Sequence, residues 1–324
     1  MYHGLRIAVI IPAFREETRI AATIASVPAW VDAIVAVDDC SPDETYAVMQ
    51  RSPEPRLTAL RLPENQGVGG ATMAGFKKAA ELGADVLVKM DADGQMDPTL
   101  LPALLEPIRL GRADYVKGNR FLHTRALLQM PLLRRVGNIG LSFLTKLASG
   151  YWPIFDPSNG FIALHAAVFS QLDAEKIGKR FFFETSLLIE LSLHRAVVRD
   201  MFMPARYGDK VSSLSERQVL FDFPPKLLRG FVRRITFQYF LRDFSAVSIF
   251  LLMGSTLTAL GVSWGGWQWL RSLLVGVPAT TGTVMLAVLP LILGIQMLLQ
   301  ALVLDIHNVP TEPIHRDAKT PPAP

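Results

Sequence analysis

The stretch Val86-Leu87-Val88-Lys89-Met90-Asp91-Ala92-Asp93-Gly94-Gln95 decides how the rest of the chain is read. A short apolar run bounded by turn residues reads as a buried strand, and this one ends on two carboxylates one residue apart. Like charges so placed repel, and holding them together is costly unless a cation offsets them. Magnesium or manganese does this well, because each takes oxygen ligands and commonly uses one or two carboxylates together with substrate phosphates. Asp91, Asp93 and the amide oxygen of Gln95 are therefore candidate metal ligands. The plain alternative is a solvated Asp-rich turn.

Working outward, Arg6–Ile11, Ala33–Val37, Leu57–Leu62 and Tyr115–Lys117 also read as strands, and helical patterns separate them. That alternation predicts an α/β domain with a mostly parallel sheet. Ligands in such folds bind beyond the carboxyl ends of the strands, and those ends are polar here: Pro12-Ala13-Phe14-Arg15-Glu16-Glu17, Asp38-Asp39-Cys40-Ser41-Pro42-Asp43, Asn65-Gln66-Gly67 and Asp91-Ala92-Asp93. The glycines of Gly67-Val68-Gly69-Gly70 do not complete a dinucleotide fingerprint, since the third would fall at Thr72 and no acidic residue closes the next strand. They read instead as allowing a helix start to pack closely on the sheet. Glu190 and His194 share a helix face, but no second histidine completes a zinc motif, and no histidine is assigned a catalytic role.

The chain has 324 residues, with 33 Lys+Arg against 29 Asp+Glu and one cysteine, Cys40. No basic stripe with interleaved aromatics marks a nucleic-acid partner, and a lone cysteine excludes an internal disulfide and suits a reducing cytosol. The first residues lack a signal-peptide pattern. Charge disappears late, from Phe244 through Leu270 and again from Ser272 through Leu304, and each stretch can hold a spanning helix. The expected spans are 244–264, followed by Trp264, Trp267 and Trp269 as an interfacial belt, and a second within 280–304. Arg229, Arg233, Arg234 and Arg242 before the hairpin, with Arg316 and Lys319 after it, predict cytoplasmic termini at an inner membrane. Within 225–243, Leu228, Val232, Ile235 and Tyr239 recur at helical spacing beside Lys226, Arg229 and Arg233, the pattern of a helix lying in the headgroup region. An ordinary amphipathic core helix is the alternative. The expected plan is a catalytic domain over 1–221, a juxtamembrane helix over 222–243, the hairpin over 244–305 and a disordered tail over 306–324.

Together, Ile10 to Glu17, Val37 to Thr45, Asn65 to Gly69 and Met90 to Gln95 resemble the motifs of family 2 glycosyltransferases, in order and at the usual distances. The layout is similar to the polyprenyl-phosphate branch, which includes dolichol-phosphate mannosyltransferase and bacterial undecaprenyl-phosphate glucosyltransferases. The resemblance implies a GT-A fold, a nucleotide-sugar donor (UDP-glucose, UDP-N-acetylglucosamine or GDP-mannose), a polyprenyl-phosphate acceptor at the membrane and Mg2+ or Mn2+, and it leaves a homo-oligomer open. It implies that Asp39 contacts the base, that Pro12, Phe14 and Glu16 or Glu17 line the nucleoside pocket, that Asp91 lies near ribose and metal, and that Asp93 and Gln95 hold the metal. Gly118-Asn119-Arg120 resembles the family's Gly-Ser-Arg element, with Asn119 a departure, and Arg120 would meet the acceptor phosphate with Arg134 or Arg135 as second cation. Asp156 to Phe161 corresponds to the segment that positions the sugar, and Arg206, Lys210 and Ser212 to a loop closing on the diphosphate, where Asp209 and Val211 depart from the common pattern. Two other functions stay open: an inactive scaffold or nucleotide-sugar sensor, and a polysaccharide synthase, which lacks support because no Gln-x-x-Arg-Trp segment is present.

Overall fold

The five apolar runs fold as strands near the expected places: β1 (Ile7–Ala13), β2 (Ala33–Asp38), β3 (Leu57–Arg61), β4 (Val86–Lys89) and β5 (Tyr115–Asn119). Two further strands, β6 (Ile162–His165) and β7 (Val198–Phe202), complete the sheet. These elements come from a computed structural model that describes residues 1–120, 132–157, 159–204 and 216–316. The strand order is β3-β2-β1-β4-β6-β5-β7. β6 runs antiparallel to both neighbours and every other pairing is parallel. This is the mostly parallel α/β sheet expected.

β1 and β4 are buried along their whole length, which is why their sequences are continuous apolar runs rather than alternating ones. Helices α1 (Ile20–Ser26), α2 (Thr45–Gln50), α3 (Gly67–Glu81) and α4 (Leu101–Arg109) connect the first strands. The parallel register brings the ends of β1, β2 and β4 to one edge, with Ala13 opposite Asp38 and Ile10 opposite Lys89. Because β6 is reversed, its first residue Ile162 pairs with Lys89, so the segment entering β6 reaches that same edge.

The glycines at the start of α3 do something other than meet the sheet. Gly67 has φ +84°, and side chains at Gly67 or Gly69 would strike the carbonyls of Lys179 and Gly178. The helix start therefore packs on the 178–183 segment. It is Gly75, a turn and a half later, whose missing side chain lets α3 lie against Ile10 and Val37.

The remaining helices are α5 (Leu132–Ser149), α6 (Ala166–Phe169), α7 (Phe183–Leu193), α8 (Glu216–Thr236), α9 (Ala246–Val275) and α10 (Thr281–His307). The chain divides into two compact units, Met1–Phe231 with the segment from Pro310 onward, and Val232–Val309. Two expectations change here. α8 runs unbroken across the 221/222 boundary, with Pro224 and Pro225 inside it rather than at its start. The 306–324 segment is also not wholly a loose tail. α10 extends to His307, and Ile314 and His315 donate their backbone N–H groups to Asp114 at 3.1 and 3.0 Å. The His315 ring adds a 2.7 Å bond to the same carboxylate and stacks on His165 at 4.4 Å. Residues 317–324 lie outside the described residues.

In the second unit, α9 and α10 are long and apolar enough to cross a membrane, and only 22% and 11% of their most apolar windows are buried. Core helices of a soluble domain would be mostly covered. Small residues set their close approach: side chains at Gly254 and Gly261 would meet the carbonyls of Gly294 and Ala287. α9 also extends past the expected end at 264 and carries the three tryptophans within it. The stripe Leu228, Val232, Ile235, Tyr239 is broken. Leu228 and Val232 are exposed, whereas Ile235 is half-buried and Tyr239, within a π-helical turn over Phe237–Arg242, is buried.

Candidate active site

β4 delivers Asp91 and Asp93 to the edge where β1 and β2 also end. Asp93 accepts the Gln95 N–H at 3.0 Å, an Asx turn that Gly94 completes at φ +74°. Asp91 is held from behind. The ammonium of Lys89, 1% exposed, donates to Asp91 Oδ1 at 2.6 Å and to the Gly160 carbonyl at 3.3 Å, and lies 3.6 Å from Glu184 Oε1. Burial alone would lower the Lys89 pKa, but the two facing carboxylates carry it upward, so the ammonium stays charged. Burial pushes the Glu184 carboxyl up, with Lys89 pulling it back. Gly160 closes this cluster, since a side chain there would run into Lys89, Asp91 and Glu184 together.

The donor set fits a magnesium or manganese half-site. No group of three or more His, Cys, Asp or Glu gathers into a metal cage among the described residues, and two partly exposed carboxylates with an amide oxygen leave the other positions to phosphate and water, as these ions prefer. Lys89 engages one oxygen of Asp91.

Directly after β2, both oxygens of Asp39 accept backbone N–H groups, from Gln66 at 2.7 Å and Gly67 at 2.8 Å. The carboxylate thus anchors the start of α3, and burial raises its pKa despite those donors. Pro12 is buried in β1, whereas Phe14 is 40% exposed with the Arg15 guanidinium 5.3 Å from its ring centroid. Glu16 is buried, its N–H on Thr45 Oγ1 at 2.9 Å. Glu17 points elsewhere and accepts the Glu44 N–H at 3.0 Å where α2 begins.

Arg120 follows β5 and makes a fork with Asp156, Nε to Oδ2 and Nη2 to Oδ1, both 2.8 Å. Asp156 is itself held at φ +53°. The departure at Asn119 has a use: its amide donates to Asp200 at 2.7 Å, and Asp200 also pairs with buried Lys117 at 3.3 Å and accepts the Phe155 N–H at 2.8 Å. Burial raises the Asp200 carboxyl while Lys117 opposes it. This network ties β5, β7 and the 155–156 segment into one piece under Arg120. Arg134 and Arg135 fall in the first turn of α5, and their side chains lie outside the described residues, as do Arg206, Lys210 and Ser212 entirely.

Sequence reasoning missed Lys89, Lys117 and Asp200. The signal was present as a single lysine in an otherwise apolar strand, closing Val-Leu-Val-Lys in β4 and standing in the middle of Tyr-Val-Lys-Gly-Asn in β5.

The carboxylates of Asp39, Asp91 and Asp93 and the guanidinium of Arg120 thus follow strands that end at one edge of a mostly parallel sheet, the edge where ligands of such folds bind. Residues 8–173 match the family model described as Glycosyl transferase family 2. The chain is 36% identical over 190 residues to a UDP-N-acetylglucosamine–dolichyl-phosphate N-acetylglucosaminyltransferase of Methanococcus voltae, covering 54% of this chain and 75% of the relative. It is 32% identical to an undecaprenyl-phosphate mannosyltransferase of Micrococcus luteus, covering 53% and 72%. Among solved structures, glucosyl-3-phosphoglycerate synthase of Mycobacterium tuberculosis with Mn2+, UDP-glucose and phosphoglyceric acid aligns with TM-score 0.52 at 20% identity, over 72% of this chain and 80% of that one. That likeness shows the GT-A fold. The chain belongs to glycosyltransferase family 2 and is a glycosyltransferase, and its relatives fall in the polyprenyl-phosphate branch.

Proposed function

We propose that the enzyme moves a hexose from a UDP- or GDP-sugar to the phosphate of a polyprenyl lipid, undecaprenyl or dolichyl, with inversion at the anomeric carbon. The observation that supports this reading is that Asp91, Asp93 and Arg120 follow strands ending at one sheet edge in a chain with two apolar helices of spanning length. The names of the relatives support it. A lipid phosphate is already anionic at neutral pH and needs little from a general base. The work lies in bringing two anions together. Arg120, braced by Asp156, offsets the acceptor charge and aims it, with Arg134 or Arg135 as second cation. Asp39, Pro12 and Phe14 hold the nucleoside, and Arg206, Lys210 and Ser212 attend the diphosphate. Asp93, Asp91 and Gln95 would hold Mg2+ or Mn2+, which would supply positive charge against the diphosphate. The hairpin keeps the site at the membrane, with two spans and both termini cytoplasmic.

Purified protein with Mg2+, undecaprenyl phosphate and labelled UDP-glucose, UDP-N-acetylglucosamine or GDP-mannose should give a glycolipid from one donor, and Asp93→Asn should abolish it. Absence of product from every donor would sink the reading.

A further inference from the structure

No step of the transfer uses Glu184, yet it stands in the first turn of α7 with its side chain only 10% exposed, in the wall behind the carboxylate pair. One ammonium serves both it and Asp91. Lys89 Nζ lies 2.6 Å from Asp91 Oδ1 and 3.6 Å from Glu184 Oε1, the second beyond hydrogen-bond length. The better-paired carboxylate is the more exposed one, since the Asp91 side chain is 32% exposed at the sheet edge. A buried carboxylate loses most without a cation, so this division is the reverse of what stability alone would choose.

Gly160 shows how the division can change. Its backbone lies outside the left-handed region, so conformation does not call for glycine there. Space does: a Cβ would overlap Lys89 Nζ and crowd both Asp91 Oδ2 and Glu184 Oε1. The missing side chain keeps open the gap that the three charged groups share, with the Gly160 carbonyl 3.3 Å from the ammonium as a further acceptor. A small swing of the lysine within that gap carries its charge from one carboxylate to the other. What would drive the swing is a second cation. Asp91 is among the oxygens offered to Mg2+ or Mn2+, and a divalent ion and an ammonium on one carboxylate repel each other strongly where water is scarce. An ammonium held in reserve re-covers Asp91 when the metal leaves with the diphosphate.

We propose that Lys89 and Glu184 form a counter-ion relay that sets the metal affinity of the site: Lys89 covers Asp91 in the empty enzyme and shifts to Glu184 when Asp91 takes a divalent cation. The proposal rests on the reading of Asp91 and Asp93 as metal ligands and deepens it. Glu184 is then a positioning residue, acting on the metal through Lys89 rather than touching it.

Mn2+ titrations of the full chain in detergent, followed by loss of the free-ion EPR signal, test this with Lys89→Met, Glu184→Gln and the double variant. Lys89→Gln takes the place of Lys89→Met if the latter does not fold. Removing the lysine should tighten Mn2+ binding, and Glu184→Gln alone should weaken it about 5-fold or more, the lower end of ordinary coupling between sites. In the double variant the Glu184 change should lose most of its effect, because no ammonium is left to receive. If Glu184→Gln changes affinity by the same factor with and without Lys89, or not at all, the relay falls and the metal reading stands. Weaker binding on loss of Lys89 overturns the relay as well. If Asp93→Asn binds Mn2+ as tightly as wild type, the metal reading falls and takes the relay with it.

Discussion

Lys89 faces two carboxylates with one ammonium, so its loss leaves Asp91 and Glu184 opposed without a cation. Lys89→Met should lower kcat at least about 100-fold, the scale of a misplaced reacting group, with Asp91 no longer fixed. Steady-state assays at saturating donor check this; unchanged turnover would show that Lys89 serves packing alone. Asp156 makes a complementary prediction. Burial works to raise its pKa, but the Arg120 fork and nearby Lys117 hold it below the usual aspartate range. A depressed carboxyl adds stability that is complete above the unfolded value of about 3.9 and lost as pH falls through the lower folded value. Asp156→Asn should therefore cost about 2–3 kcal/mol near neutral pH, with the gap to wild type closing in strong acid. Thermal unfolding across that pH range reads it directly, and a constant gap would contradict the assignment.

At the scale of elements, legibility tracked the strength of local pattern. Val86–Met90 was readable because a strand buried on both faces is an unbroken apolar run, and the structure ends it one residue earlier, at Lys89. β6 and β7 were not. Ile162–His165 is four residues long, and Val-Arg-Asp-Met-Phe of the edge strand β7 mixes exposed charge with buried Val198 and Met201, so neither shows a decisive period. The motif residues at the strand ends were legible, but their partners were not, since Arg120 with Asp156 and Lys117 with Asp200 meet across 36 and 83 residues. The tail over 306–324 looked loose because Pro-rich composition hides a single strong anchor. Burial acts to raise the Asp114 pKa, yet the His315 ring and three backbone N–H groups hold it down. His315→Ala should release the 310–316 segment, costing about 1–2 kcal/mol, seen as faster proteolysis after Val309 with donor affinity unchanged. Equal protection in the variant would show that the anchor is dispensable.

At the scale of the whole molecule, the second unit has its own polar lock. Arg234, 1% exposed, pairs with Asp305 at 2.7 and 3.1 Å, and Tyr239 donates to the same carboxylate at 2.6 Å. Breaking one side of a buried pair costs about 3–5 kcal/mol, whereas replacing both with apolar residues is often neutral. Arg234→Met alone should thus lower detergent-solubilised thermal stability markedly, and Arg234→Met with Asp305→Leu should restore most of it. A double variant as weak as the single would refute this account of the lock.

The opening carboxylate pair now has a back wall, Lys89, and a cation, Arg120, at the same sheet edge, and the proposed acceptor is a membrane lipid phosphate. The most direct measurement compares acceptors head to head: polyprenyl phosphate, the matching neutral polyprenol and a water-soluble phosphate such as 3-phosphoglycerate, each with labelled donor and Mg2+. The account predicts label only on polyprenyl phosphate, through a glycosyl-phosphate bond of inverted anomeric configuration. Label on the soluble phosphate with none on the lipid would contradict it.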